Sequence, residues 1–139
     1  MEIIANAVQT VNANQNVYFT DTIACGGCSI IHRDNSGLIT LKGVTHQCRA
    51  RYKVTFAGNV AIPTGGTAGP ISFAIAVEGE AIPYSTMIST PLDVGDFNNI
   101  STTVIIDIPK GCCYTIAVQN IGTAAAEIEN ANLIIDRVA

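Results

Sequence analysis

Charge is what this 139-residue sequence has least of. Only 13% of its residues are Asp, Glu, Lys or Arg, against roughly 25% in an average soluble chain. So few charges cannot clothe a folded surface, and part of that surface is expected to be buried between subunits. The net charge of −4 excludes nucleic-acid binding as a primary role, because that needs concentrated positive charge. No apolar run approaches the roughly 18 residues of a membrane-crossing helix, so no membrane partner is expected. The opening MEIIANAVQT has no basic run followed by an apolar core, as a secretory signal peptide would. The expectation is a product made in the cytoplasm, free to act outside the cell on a particle released by lysis. Helical periodicity is missing over any useful window. So are internal repeats and the motifs of nucleophilic hydrolases, phosphate loops and dinucleotide folds.

What is present is alternation. From Cys48, the residues Cys48, Ala50, Tyr52, Val54 and Phe56 share one parity, and Arg49, Arg51, Lys53 and Thr55 share the other. That is a long strand with one core face and one wet face. Four of the seven basic residues lie between Thr40 and Val60: Lys42, Arg49, Arg51 and Lys53. The stripe either docks an acidic partner or polyanionic polymer or is a solvated strand face that discourages edge pairing. Ile71 to Val77 alternates with small partners and reads as a strand covered on both sides. Ser101 to Ile108 and Cys112 to Asn120, joined by Pro109-Lys110-Gly111, read as a hairpin. Further strands are expected at Ala5–Val11, Val17–Thr20, Ser29–His32, Leu38–Lys42, Ala81–Ser85, Met87–Ser89 and Asn132–Val138. Ile62 to Pro70, with three glycines and two prolines, is an exposed loop. The sum is a single all-β domain over residues 1–139, an antiparallel β-sandwich or jelly roll of about ten strands.

Several residues invite chemistry. Cys25-Gly26-Gly27-Cys28 has the spacing of half a tetrahedral zinc site or of a redox pair. With Cys113 it forms a candidate metal or disulfide element. No cofactor is otherwise called for, and zinc is the ion such a set would take. No helix follows Cys28 to activate the thiol, which argues against thioredoxin-like chemistry. By parity, Cys48 and Cys112 fall on core faces and read as small buried hydrophobes. Five cysteines is an odd number, so they cannot all pair within one chain. His32-Arg33-Asp34-Asn35 reads as a turn and His46 as a turn residue before the long strand, and either histidine could join Cys25 and Cys28 as a ligand. The scattered carboxylates, including Asp93 and Asp96, read as solvated turns.

The order of motifs resembles the tumour necrosis factor and complement-head superfamily. Gly43 to Phe56, ending R-Y-K-V-T-F, is similar to its glycine–spacer–tyrosine strand. Ile108-Pro109-Lys110-Gly111-Cys112-Cys113-Tyr114-Thr115-Ile116 is similar to its turn into the tyrosine-bearing penultimate strand, and Ala131 to Ala139 to its closing strand. The nearest likeness is to bacterial and prophage versions, such as the globular tips of collagen-like spore-surface proteins and small phage virion proteins. No Gly-X-Y repeat is present. The resemblance implies a TNF-like jelly roll of about ten strands, assembled as a homotrimer that binds or displays and does not catalyse. By that analogy Phe73, Tyr114, Ile116 and Leu133 would lie near the threefold axis. The expected role is a structural module on a particle surface, a phage capsid decoration or fibre tip, with capsid or fibre proteins as partners. The alternative is a receptor- or glycan-binding adhesin head whose loops carry Thr64, Gly65, Gly66, Asp93 and Asp96. A metal- or thiol-dependent enzyme is the remote third.

Overall fold

The computed structural model describes residues 1–44 and 46–139; Thr45, inside the basic stretch, lies outside the described residues. The described chain forms strands β1 (Glu2–Ala5), β2 (Gln9–Val11), β3 (Asp21–Ala24), β4 (Ile30–His32), β5 (Ile39–Lys42), β6 (Arg49–Ala61) and β7 (Ile71–Val77). The remainder are β8 (Glu80–Ala81), β9 (Met87–Ser89), β10 (Asn98–Pro109), β11 (Cys113–Asn120) and β12 (Ala126–Arg137), with one 3-10 turn at Pro83–Ser85. Two antiparallel sheets face each other. The first runs β10-β6-β12-β1-β3, with β2 on the other half of β12; the second runs β4-β5-β11-β7-β8, with β9 continuing the β8 edge. This is the antiparallel sandwich expected from the strand pattern.

The long strand is where the alternation placed it. Ala50, Tyr52, Val54 and Phe56 are fully buried, and Arg49 and Lys53 are exposed. β6 pairs along its length with β10 on one side and β12 on the other. Its inner side chains meet Phe19, Ile39, Leu41, Phe73, Ile75, Ile116 and Leu133 in one core between the sheets. Phe19 and Phe56 touch edge to face with ring centroids 6.4 Å apart, a preferred aromatic geometry. The Tyr52 hydroxyl, buried at the edge of that core, donates to the Lys42 carbonyl at 2.6 Å. It thereby ties β6 to the end of β5 in the opposite sheet. β7 is covered on both sides as expected, with Ala74 and Ala76 buried on its outer face.

Three expectations are corrected. Ser101–Ile108 and Cys112–Asn120 do not form a hairpin. β10 pairs with β6 in the first sheet and β11 with β5 and β7 in the second, so Pro109-Lys110-Gly111 is a crossover between sheets. Two strong strand runs and a tight turn cannot reveal this, because the choice of partner is made by distant β6, whose residues Arg49 to Val60 match β10 from Pro109 to Asn98. Second, Cys48 and Cys112 are exposed. Both precede the first residue of their strands, where alternation has no authority over direction. Third, Val17–Thr20 is bridged only at isolated points, while the strands near the N-terminus lie at Glu2–Ala5, Gln9–Val11 and Asp21–Ala24. The Gln9 side chain stands in for a ladder there, its Nε2 donating to the Tyr18 carbonyl and its Oε1 accepting from the Tyr18 N–H.

Gly43 closes the crossover. Its N–H donates to the Cys112 carbonyl at 2.8 Å, and a Cβ there would land inside contact distance of the Pro109 carbonyl oxygen. Gly43→Ala is therefore expected to cost about 2 kcal/mol through overpacking against backbone. Gly27→Ala, whose Cβ would meet nothing, is expected to stay within about 0.5 kcal/mol. Urea unfolding of the pair checks this, and equal midpoints would count against the close approach.

Candidate functional site

The connections β3–β4, β5–β6, β6–β7, β9–β10, β10–β11 and β11–β12 cross from one sheet to the other, and their loops collect at two ends. At one end, Arg49 faces Pro109 and Lys42 faces Cys113 across their ladders. The segments 25–29, 43–44, 46–48 and 110–112 meet there. Lys42 N–H donates to the Ser29 carbonyl at 2.8 Å, and Lys110 N–H to the Cys48 carbonyl at 3.0 Å. A groove of about 710 Å³ opens at this end, lined among others by Cys25, Cys28, Lys42, His46, Asp136 and Arg137. The structure thus brings Cys25, Cys28 and His46 to one wall. Cys113 stands beside it at the start of β11, outside the lining. All five thiols are free and exposed. Among the described residues, no three His, Cys, Asp or Glu side chains converge as metal ligands. The other histidine, His32, bonds through Nε2 to the Ser36 carbonyl at 2.9 Å in the turn the sequence pointed to.

At the opposite end lie the loops 62–70, 90–97 and 121–125. Thr64, Gly65, Gly66, Asp93 and Asp96 are all exposed here, and Gly95 N–H donates to the Ile62 carbonyl at 3.0 Å. The two loops singled out from sequence therefore do sit together. A pocket of about 270 Å³ lies between 66–71 and 122–125, with buried Asn120 in its wall. Asn120 builds that wall: its Nδ2 donates to the Val11 and Ala124 carbonyls and its Oδ1 accepts from Gly122 N–H. Sequence reasoning missed this residue because its partners are 4 and 109 positions away.

Two arginines of the basic stripe of β6 share one carboxylate. Asp107, its cross-strand partner on β10, accepts from Arg51 Nε at 2.8 Å and Nη2 at 3.0 Å, with Arg49 at 3.6 Å. The Arg51 hydrogen bonds hold the Asp107 carboxyl below the usual range, aided by the charges of Arg51 and Arg49 and opposed by desolvation. The same pairing raises Arg51. Lys53 faces Asp136 across the β6–β12 ladder. One carboxylate thus serves two arginines, and the stripe keeps a positive excess.

Three of the four residues assigned to a threefold axis by analogy are buried within the single chain. Phe73, Ile116 and Leu133 are at most 1% exposed, filling the core between the sheets. They have no side-chain surface left for another copy, because positions on the inner face of a sandwich are consumed by the opposing sheet. Tyr114 is half-buried against the same core. The exposed apolar residues lie elsewhere. Tyr84, Ile88 and Leu92 are 77%, 66% and 91% exposed along the flank where β9 ends the second sheet. Ile105 and Ile134 project from the outer face of the first sheet on either side of β6, Ile105 facing Lys53 and Ile134 facing Thr55. The sequence signal for the flank was weak, since Pro83 and Pro91 break the apolar pattern.

No protein-family model and no curated protein sequence matches the chain. Among solved structures, the globular domain of a zebrafish complement 1qA protein is similar in fold, with a TM-score of 0.64 at 11% identity over 96% of this chain and 93% of that one. The chain therefore has the complement-head, TNF-like jelly-roll fold. A carbohydrate-binding module of family 35 from Paenibacillus barcinonensis is also similar, with a TM-score of 0.40 at 15% identity over 98% of each chain. One from Clostridium thermocellum reaches 0.39 at 14% identity, over 96% of this chain and 98% of that one.

Two outcomes are expected. Asn120→Ala should cost about 2 kcal/mol, since it strands buried backbone partners, and a urea midpoint within error of wild type would contradict the clasp. Because the folded Asp107 is depressed, its contribution is present above the unfolded carboxylate pKa of about 3.9 and is lost as pH falls through the folded value. Urea midpoints taken downward from pH 6 should thus fall more steeply below about pH 4 in wild type than in Asp107→Asn; parallel curves would remove the ion pair from the account.

Proposed function

We propose that the protein is a non-enzymatic, self-assembling display module: a homotrimer on a particle surface, with a phage capsid decoration or fibre tip as its setting. The observation that carries this reading is that two different surfaces expose large apolar side chains on a chain with so little charge. One is the flank of Tyr84, Ile88 and Leu92, and the other is the outer sheet face, where Ile105 and Ile134 stand beside Lys53 and Thr55. A closed threefold ring is heterologous: each subunit offers one patch and receives the other. Two distinct patches suit such a ring better than a twofold dimer, which uses one patch twice. The complement-head-like fold supports the same reading. Capsid or fibre proteins are the partners proposed for the remaining surface.

A second reading has its own observation. The loops 62–70 and 92–97 are joined by a backbone hydrogen bond beside a pocket of about 270 Å³. In that case the loop end is a receptor- or glycan-binding head, with Thr64 to Gly66 and Asp93 to Asp96 at its mouth.

Light scattering of wild type in reductant at micromolar concentration is expected to give about three times the chain mass of 14.5 kDa. Ile134→Glu and Ile88→Glu, both at exposed positions, should each shift the protein to single chains while leaving its far-ultraviolet spectrum unchanged. A wild-type monomer would overturn the trimer. Glycan-array binding that is lost on replacing Asp93 and Asp96 by Ala would favour the second reading.

A further inference from the structure

Free cysteine is among the most buried of residue types in folded proteins. Here all five cysteines are unpaired and exposed. They are also gathered. Cys25 and Cys28 sit in the loop after β3, Cys48 just before β6, and Cys112 and Cys113 at the crossover into β11. Backbone bonds knit these segments together, Gly43 N–H to the Cys112 carbonyl and Lys110 N–H to the Cys48 carbonyl among them. The loop end carries no cysteine at all. Cys25 and Cys28 open onto the groove whose wall also holds Lys42, Arg137 and Asp136.

We propose that this thiol rim is a covalent coupling end, where one copy of the chain is joined to a second copy by disulfide bonds. Three features point to a second copy. An odd number of thiols leaves at least one for another chain even after every internal pair has formed. The rim is exposed, so a thiol can be approached along the S–S axis that exchange requires. The groove mouth carries both signs of charge, so Lys42 and Arg137 of one rim can face Asp136 of a like rim in an isologous contact. The inference goes beyond the display role and does not require the threefold ring.

The oxidant is a low-molecular-weight disulfide, RSSR. A rim thiolate attacks one of its sulfurs, forming protein–S–S–R and releasing RS⁻. A thiolate of the second copy then attacks the protein sulfur, forming the inter-chain S–S bond and releasing the second RS⁻. Two protein thiols lose two electrons and two protons, and RSSR becomes two RSH.

The test mixes natural-abundance and ¹⁵N-labelled protein, removes reductant and adds glutathione disulfide. The expected result is a dithiothreitol-reversible band of two or more chains on non-reducing electrophoresis, with mass spectra showing rim peptides of one isotope bonded to rim peptides of the other. Replacing all five cysteines by Ser should reduce the band to background. If that variant does not fold, blocking the folded wild type with iodoacetamide before oxidation should do the same. Single chains carrying only internal disulfides, only glutathione adducts or only free thiols would overturn the proposal. Light scattering in reductant, which reports the trimer, is indifferent to all of these outcomes.

Discussion

The fold depends on the two-sided pairing of β6. A strand of 13 residues with a partner on each side satisfies its backbone groups along its length, and its strict period of two then decides both faces at once. A slip of one residue would put Arg49, Arg51 and Lys53 into the core and Tyr52, Val54 and Phe56 into water. The burial of an ionised guanidinium or ammonium costs far more than any register could return. Truncating Phe56 to Ala would remove about 3–5 kcal/mol, a large share of a typical domain's 5–15 kcal/mol. The Tyr52 hydroxyl carries the constraint across to the second sheet by its bond to the Lys42 carbonyl.

From that spine the distribution of function-bearing residues follows. Because β6, β7, β10, β11 and β12 alternate between sheets, their connections cannot be tight hairpins within a sheet. They arch over the ends of the sandwich instead. One end receives the cysteine-bearing segments and the other the glycine-rich loops. The two ends are held by different chemistry. At the thiol rim, backbone-to-backbone bonds around Gly43 suffice, since glycine lets two chains approach closely. At the loop end, the Asn120 side chain does the work of a short ladder.

The surface has its own logic. Among the described residues the ion pairs are those of Asp107 with Arg51 and Arg49 on the β6 face. Such exposed pairs add little stability. Exposed apolar residues are spread over the molecule, from Ile23, Ile31 and Leu38 to Ile105 and Ile134, and the three most exposed are Tyr84, Ile88 and Leu92. Exposed Ile, Leu and Tyr scattered singly need no account; these three, close in sequence on one flank, mark surface that self-association would cover.

Much of the architecture was legible in the order of residues. The all-β class, the faces of β5, β6 and β7 and the exposed loop 62–70 all follow from period-two alternation and from Gly and Pro, which are local properties of the backbone. So did the turn Glu78-Gly79, whose two positive φ angles suit a two-residue hairpin loop. The pairing of β10 with β6, the exposure of Cys48 and Cys112 and the burial of Phe73, Ile116 and Leu133 against the opposing sheet were not legible, because each depends on residues distant in sequence. The sequence alone determined how many cysteines there are and that one must remain unpaired inside a chain. Only the tertiary structure decided that all five reach solvent at one end, because parity governs a side chain within a strand and the crossovers that carry these cysteines lie just outside one.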